Sequence, residues 1–330
     1  MWAYLVKQQP GYGYRDQREE LSMKSIVSII KRSRVMEFIL FSNYFYGICA
    51  VALTIEATLQ QRFPLNGFIY LGLIFMATVL YYAHPYIRKC SYISSNPRTN
   101  WYTKHYDFMR GNQIVITGIL VIALALFVSV YRKEIVSMSL LNWAIVFIFP
   151  MAAASYYGIR FLSKRYNIRK IGWLKPFVIG FIWAGLVTDY PVLFYDIINN
   201  QDYVVNEIAV LLFTKNFMFV SVLCIMFDIK DYSADYLHRI KTFVVKIGLR
   251  NTIFYILLPL SVIGLLSFIL YATNHHFSAG RIILNTIPFL LLLWVAWSLR
   301  KRRPLLYYLS VVDGLMLVKA ICGIIAITYF

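Results

Sequence analysis

Residues 206–242, NEIAVLLFTKNFMFVSVLCIMFDIKDYSADYLHRIKT, decide how this chain is read. An apolar run of about 20 residues is the length of a helix that crosses a bilayer. Here such a run passes without a break into three aspartates and a basic cluster. Asp228, Asp231 and Asp235 recur at intervals of three and four, so a helix continuing through them turns all three carboxylates to one face. Carboxylates gathered in this way need a cation among them, and a hard divalent ion bound through oxygen, such as magnesium, is the natural occupant. The plainer reading of the same spacing is a solvated acidic helix end just outside the bilayer, whose acids cap the helix and pair with the neighbouring Lys230 or Arg239.

The rest of the chain repeats the apolar half of this pattern. Hydrophobic residues make up 60% of it and its mean hydropathy is +0.62, more apolar surface than a soluble domain of this size can hide. The runs predict nine spans, at about 35–60, 66–87, 112–131, 139–161, 174–195, 206–228, 250–272, 281–299 and 305–329. Runs so long and continuous are helices, because a helix satisfies its own backbone in lipid. The fold class is therefore all-α: a polytopic membrane bundle over 35–330, behind a polar tail over 1–34. From Met23 that tail reads MKSIVSIIKRSR, an amphipathic stretch suited to a membrane surface, and it carries no cleavable signal.

A net charge of +18 raises the question of nucleic acid, and the placement of the cations answers it. The tail and the loops after the second, fourth, sixth and eighth spans hold 27 of the 33 Lys and Arg. Positive charge on alternate loops is topology, not a nucleic-acid surface. It puts the amino terminus in the cytoplasm and, with nine spans, the carboxyl terminus outside. Anionic membrane lipids are the expected by-product partners. The loop 88–111 mixes these charges with Tyr92, Trp101, Tyr102 and Tyr106, the make-up either of an interfacial belt or of a lid that lends cations to a phosphate. Cys49, Cys90, Cys224 and Cys322 lack metal-ligand spacing and read as packing residues. Among the buried charges, Asp189 and Lys215 fall at equal depth on consecutive spans and are expected to form an ion pair or share a polar partner, whereas Glu56 lies near an outer end and can snorkel. A transport pathway finds no support in broken-helix signals or an internal repeat.

Three segments carry a resemblance to the UbiA-type intramembrane prenyltransferases, particularly a divergent branch common in Bacteroidetes. FDIKDYSADYLHRIKTFVVKIG (227–248) resembles the family's second aspartate-rich motif, with Asp228, Asp231, Asp235, Lys241, Thr242 and Gly248 at the matching positions. IGWLKPFVIGFIWAGLVTDYPVL (171–193) resembles the entry to its fifth helix, with Lys175 at the mouth and Trp183 inside. SNYFYGICAVALTIEATL (42–59) resembles the first helix, with Asn43 near the inner end. The chain departs from the family where its first aspartate-rich motif belongs: TVLYYAHPYIRKCSY (78–92) offers His84, Tyr81, Tyr82, Arg88 and Lys89 but no carboxylate.

What the resemblance implies is a nine-helix UbiA-type bundle in the bacterial inner membrane. It would transfer a polyprenyl group from an isoprenyl diphosphate to a lipophilic, generally aromatic, acceptor. Asp228, Asp231 and Asp235 would hold magnesium, as a single ion, and Asp228, Asp231 and Lys241 would form the catalytic core. Asp235, Asn43, His84, Arg88, Lys175 and Trp183 would contact substrate, the cations taking up charge that a second magnesium would otherwise meet. The alternative is a non-catalytic member of the fold that serves in binding or assembly.

Overall fold

The computed structural model describes residues 34–87, 96–157, 171–201, 205–237 and 239–330, and every regular element among them is a helix. In chain order these are α1 (Arg34–Phe41), α2 (Tyr44–Gln60), α3 (Phe68–Ala83), α4 (Pro97–Lys104), α5 (Tyr106–Val130), α6 (Arg132–Val136), α7 (Leu140–Tyr157), α8 (Lys175–Ala184) and α9 (Tyr190–Ile198). There follow α10 (Glu207–Leu237), α11 (Phe243–Ile247), α12 (Leu249–Thr252), α13 (Leu258–Asn274), α14 (Ala279–Ser298), α15 (Leu305–Tyr307) and α16 (Gly314–Tyr329). Seven helices, counted through their irregular turns, are long and apolar enough to cross a bilayer: Phe68–Tyr86, Tyr106–Val130, Lys175–Ile198, Glu207–Ser233, Leu249–Asn274, Ala279–Ser298 and Leu305–Tyr329. The pair α1 and α2 would be an eighth, bent by 71°. The segment expected to span 139–161 is a shorter apolar helix, Leu140–Tyr156, and its last expected residues lie outside the described set. The tail over 1–33 lies outside it as well.

The bend and the irregular turns have local causes. Between α1 and α2, Asn43 takes the left-handed conformation (φ 69°), which its short polar side chain tolerates better than a branched one would. Two wide π turns, Gly185–Asp189 and Ile253–Leu257, each sit one turn ahead of a proline, Pro191 and Pro259. Proline lacks an N–H, and its ring presses on the carbonyl four residues back, so the turn before it widens instead of closing as an α-turn. A third π turn, Tyr308–Val312, leads into α16 without a proline.

At the centre, α10 lies against α8 and α13, while α16 lies against α2 and α14. Cys49 and Leu53, Trp183, Phe219 and Met226, Leu292 and Met316 interlock there. Lipid offers apolar side chains as good a home as protein does, so close helix approach depends on small residues. Gly180 shows this: a Cβ there would stand 2.7 Å from the Phe217 carbonyl and would strike Ser221 Oγ. On the periphery α5 buries only Met109 and Ile116 and turns Ile114, Val121, Leu124 and Val130 outward, as a lipid-facing helix should.

Deep in the bundle four helices share a polar knot. Glu56 of α2 accepts from Lys215 of α10 at 3.2 Å and from Lys319 of α16 at 2.8 Å. Lys215 also donates to Gln60 and to Asn285 of α14, both at 3.2 Å. This corrects one expectation: Glu56 does not snorkel but is wholly buried, and its carboxylate is the one that Lys215 meets at 3.2 Å. Glu56 fits there because α2 and α16 lie side by side and Gly323 leaves room between them. A Cβ on Gly323 would come within 2.6 Å of Glu56 Oε1.

Candidate functional site

At the cation-rich end of the bundle the helix ends surround a cavity of about 530 Å³. Its rim carries Arg98 from α4, Lys175 from the first turn of α8, and Lys230 and Asp231 from α10. Its walls carry Tyr46, Tyr82, Trp183 and Asp313. A second cavity of about 230 Å³ adjoins it, sharing Tyr81, Tyr82, Ile179 and Trp183, and continues between α3, α7 and α8 past Ala77, Phe149 and Leu186. The first compartment is therefore cationic and aromatic, and the second is almost wholly apolar.

The shared wall is built by contacts between helices. Trp183 Nε1 donates to the Tyr82 hydroxyl at 2.6 Å, and the Tyr82 ring stacks on Tyr46 at 4.4 Å. The Tyr46 hydroxyl donates to Asp313 Oδ2 at 2.7 Å. Arg98 is buried: its guanidinium donates to the Leu40 carbonyl at 2.8 Å and sits near the Tyr46 and Tyr86 rings. Its Nε–H has no acceptor among the described residues, leaving a donor beside the cavity. Burial opposes its charge, but the surrounding tyrosines Tyr46, Tyr86 and Tyr102 hold its pKa above the ordinary arginine value.

The three aspartates do lie on one continuous helix, α10, but they do not form a common cage. Asp228 is fully buried, with Oδ1 bonded to Lys175 at 2.9 Å and Oδ2 without a hydrogen-bond partner. Asp231 is half-exposed on the rim and pairs with Lys230 at 2.8 Å, but the burial of Asp228 and Asp235 corrects the reading of a solvated helix end. Asp235 is buried away from the cavity wall. Sharing a face is not sharing a depth. At about 1.5 Å of rise per residue, Asp228 and Asp235 stand about 10 Å apart along the axis, whereas oxygens on one magnesium lie within about 4 Å of each other. Among the described residues no three His, Cys, Asp or Glu gather as a metal-holding group. The residues present do not fit the magnesium cage that the motif implies.

The other expected site residues divide. Lys175 and Trp183 line the cavity. Asn43 is buried behind it, donating to the Tyr102 hydroxyl at 2.8 Å and the Tyr82 carbonyl at 3.3 Å, so it ties α2 to α3 and α4. His84 is exposed on the turn after α3, and Lys241 is exposed where the chain passes Gly172; neither lines the cavity. Arg88 lies outside the described residues. Tyr81 and Tyr82, offered at the place of the first motif, line the cavity, whereas sequence reasoning gave no site role to Arg98, Tyr46 or Asp313. The loop 88–111 had been singled out as a possible source of cations, but nothing in its sequence marks Arg98 above its basic neighbours. No family model, no curated protein and no solved structure matches this chain.

Proposed function

We propose that this protein is a nine-span, UbiA-type membrane prenyltransferase. In this reading the head of an isoprenyl diphosphate lies among Arg98, Lys175 and Lys230, its tail runs into the apolar compartment, and the cavity opens to the cytoplasm. The observation that carries the reading is the pair of adjoining cavities, a cationic chamber set against an apolar annex across the shared Tyr82–Trp183 wall. Amphiphiles of this kind need both halves, and the cations would also meet the charge that develops as the allylic C–O bond breaks. Tyr46, Tyr82 and Trp183 offer ring faces to a carbocation and keep water from it. Bidentate Arg98 and the two lysines would do by direct contact what metal ions do elsewhere.

A second reading rests on one observation: Asp228 and Asp231 are already engaged by lysines, which suits a binding protein that performs no transfer. Binding of labelled geranylgeranyl diphosphate, and its transfer to a membrane lipid extract with and without magnesium, separates the two. Arg98→Gln and Lys230→Met should each weaken binding about tenfold, the scale of one charge-assisted hydrogen bond. Binding unaltered in both variants refutes the diphosphate site. Binding without transfer in the unmodified protein favours the second reading.

A further inference from the structure

Two carboxylates line the cavity: Asp231 pairs with Lys230, whereas Asp313 meets a neutral partner, Tyr46. Asp313 is 3% exposed and lines the cavity. It stands where the π turn Tyr308–Val312 passes into α16, so that Leu309, Asp313 and Met316 share the face turned to the cavity. Tyr46 holds it through the 2.7 Å bond, and the stack on Tyr82 and the Tyr82–Trp183 bond fix Tyr46 in turn. A carboxylate positioned by three helices and oriented by a phenol is the arrangement of a preorganised base.

We propose that Asp313 is the proton acceptor of this cavity. Resting on the prenyl-transfer reading above, it takes the proton that the lipophilic acceptor loses when its new bond to the prenyl carbon forms. The allylic C–O bond breaks and its electron pair leaves on the diphosphate. The acceptor supplies the pair for the new bond, and its proton passes to the Asp313 carboxylate and thence to solvent. The diphosphate is a poor base for this step, because the rim cations neutralise it. The groups facing Asp313 across the cavity are Arg98, Lys175, Lys230 and Asp231, with Asp228 behind Lys175, with Tyr46, Tyr81, Tyr82, Tyr86, Tyr156 and Cys224 on the walls, and with Cys49 behind the Asp313 carbonyl. At neutral pH the tyrosines and thiols are uncharged. Of the three cations, Lys175 is paired with Asp228 and Lys230 with Asp231.

The test uses the full chain in lipid nanodiscs with labelled geranylgeranyl diphosphate, and with 4-hexylphenol and a membrane lipid extract as acceptors. Asp313→Asn should bind the diphosphate as the unmodified protein does and lose transfer by about 100-fold or more. Tyr46→Phe removes a donor that stabilises the ionised carboxylate, so the carboxyl group keeps its proton to higher pH and the acidic limb of the transfer rate should move upward in pH. Unimpaired transfer by Asp313→Asn overturns the proposal, as does joint loss of binding and transfer with an unmoved limb in Tyr46→Phe. An unmodified protein that binds the diphosphate but transfers to neither acceptor overturns the base assignment alone. One that binds no diphosphate overturns the prenyl reading on which it rests.

Discussion

Replacing Glu56 by alanine should destabilise the bundle more than any other single change in its polar knot. Glu56 is wholly buried and serves two lysines, themselves 2% and 3% exposed, at 3.2 and 2.8 Å. At an effective dielectric of about 20, each contact is worth about 5 kcal/mol of gross attraction, most of it offset by desolvation. Removing one partner of such a pair costs about 3–5 kcal/mol, because the other is left charged and unpaired. Glu56→Ala strands two ammonium groups, so the upper end of that range is expected. The lysine variants should be milder, since either leaves one carboxylate facing one ammonium. Lys319→Met loses one hydrogen bond, whereas Lys215→Met also strips a donor from Gln60 and Asn285. The order of destabilisation should therefore be Glu56→Ala, then Lys215→Met, then Lys319→Met. Reversible unfolding in mixed micelles, followed by tryptophan fluorescence, reads that order directly. Glu56→Ala within about 0.5 kcal/mol of the unmodified protein, the range of an ordinary surface substitution, would refute the reasoning. So would a lysine variant that proved the worst of the three.

Other outcomes follow from single contacts. Lys175→Met should cost about 3 kcal/mol by leaving buried Asp228 unpaired, and the double variant with Asp228→Asn should regain that stability, but not diphosphate binding, in paired unfolding and binding assays. Gly180→Ala pushes a methyl group to within 2.7 Å of the Phe217 carbonyl and should lower stability by about 1–3 kcal/mol in the same unfolding assay. Trp183→Phe keeps a ring on the shared wall but loses the 2.6 Å bond to Tyr82, for a cost of about 1 kcal/mol. If the positive-inside assignment holds, a cysteine at Asn199 is labelled by an impermeant reagent from outside and one at Asn96 is not; the opposite pattern would reverse the topology.

The helices were legible in the sequence because the property that creates them is local. A run such as 206–228 must be helical in lipid whatever its neighbours do, and Glu207–Leu237 is one continuous helix. The prolines at 191 and 259 mark their own distortions for the same reason. The cavity is a different matter. Lys175 and Trp183 were identified through resemblance, but Arg98 was one cation among many, and Asp313 was one of several acids buried in apolar runs. Their value comes from what α2, α3 and α8 set beside them, and pairing across helices leaves no trace in spacing along one helix.

The sequence by itself determined an all-helical chain with several long apolar helices, since backbone satisfaction and apolar length act within each segment. The pairing of Asp231 with its neighbour Lys230 was within reach of the sequence, but only the tertiary structure decided which charges meet across helices: Asp228 belongs to Lys175, and Glu56 to two lysines from helices far along the chain. In a medium where an unpaired charge is so costly, each ion takes the nearest partner that the packing allows, and that choice rests on angstroms between helices rather than on residues between positions.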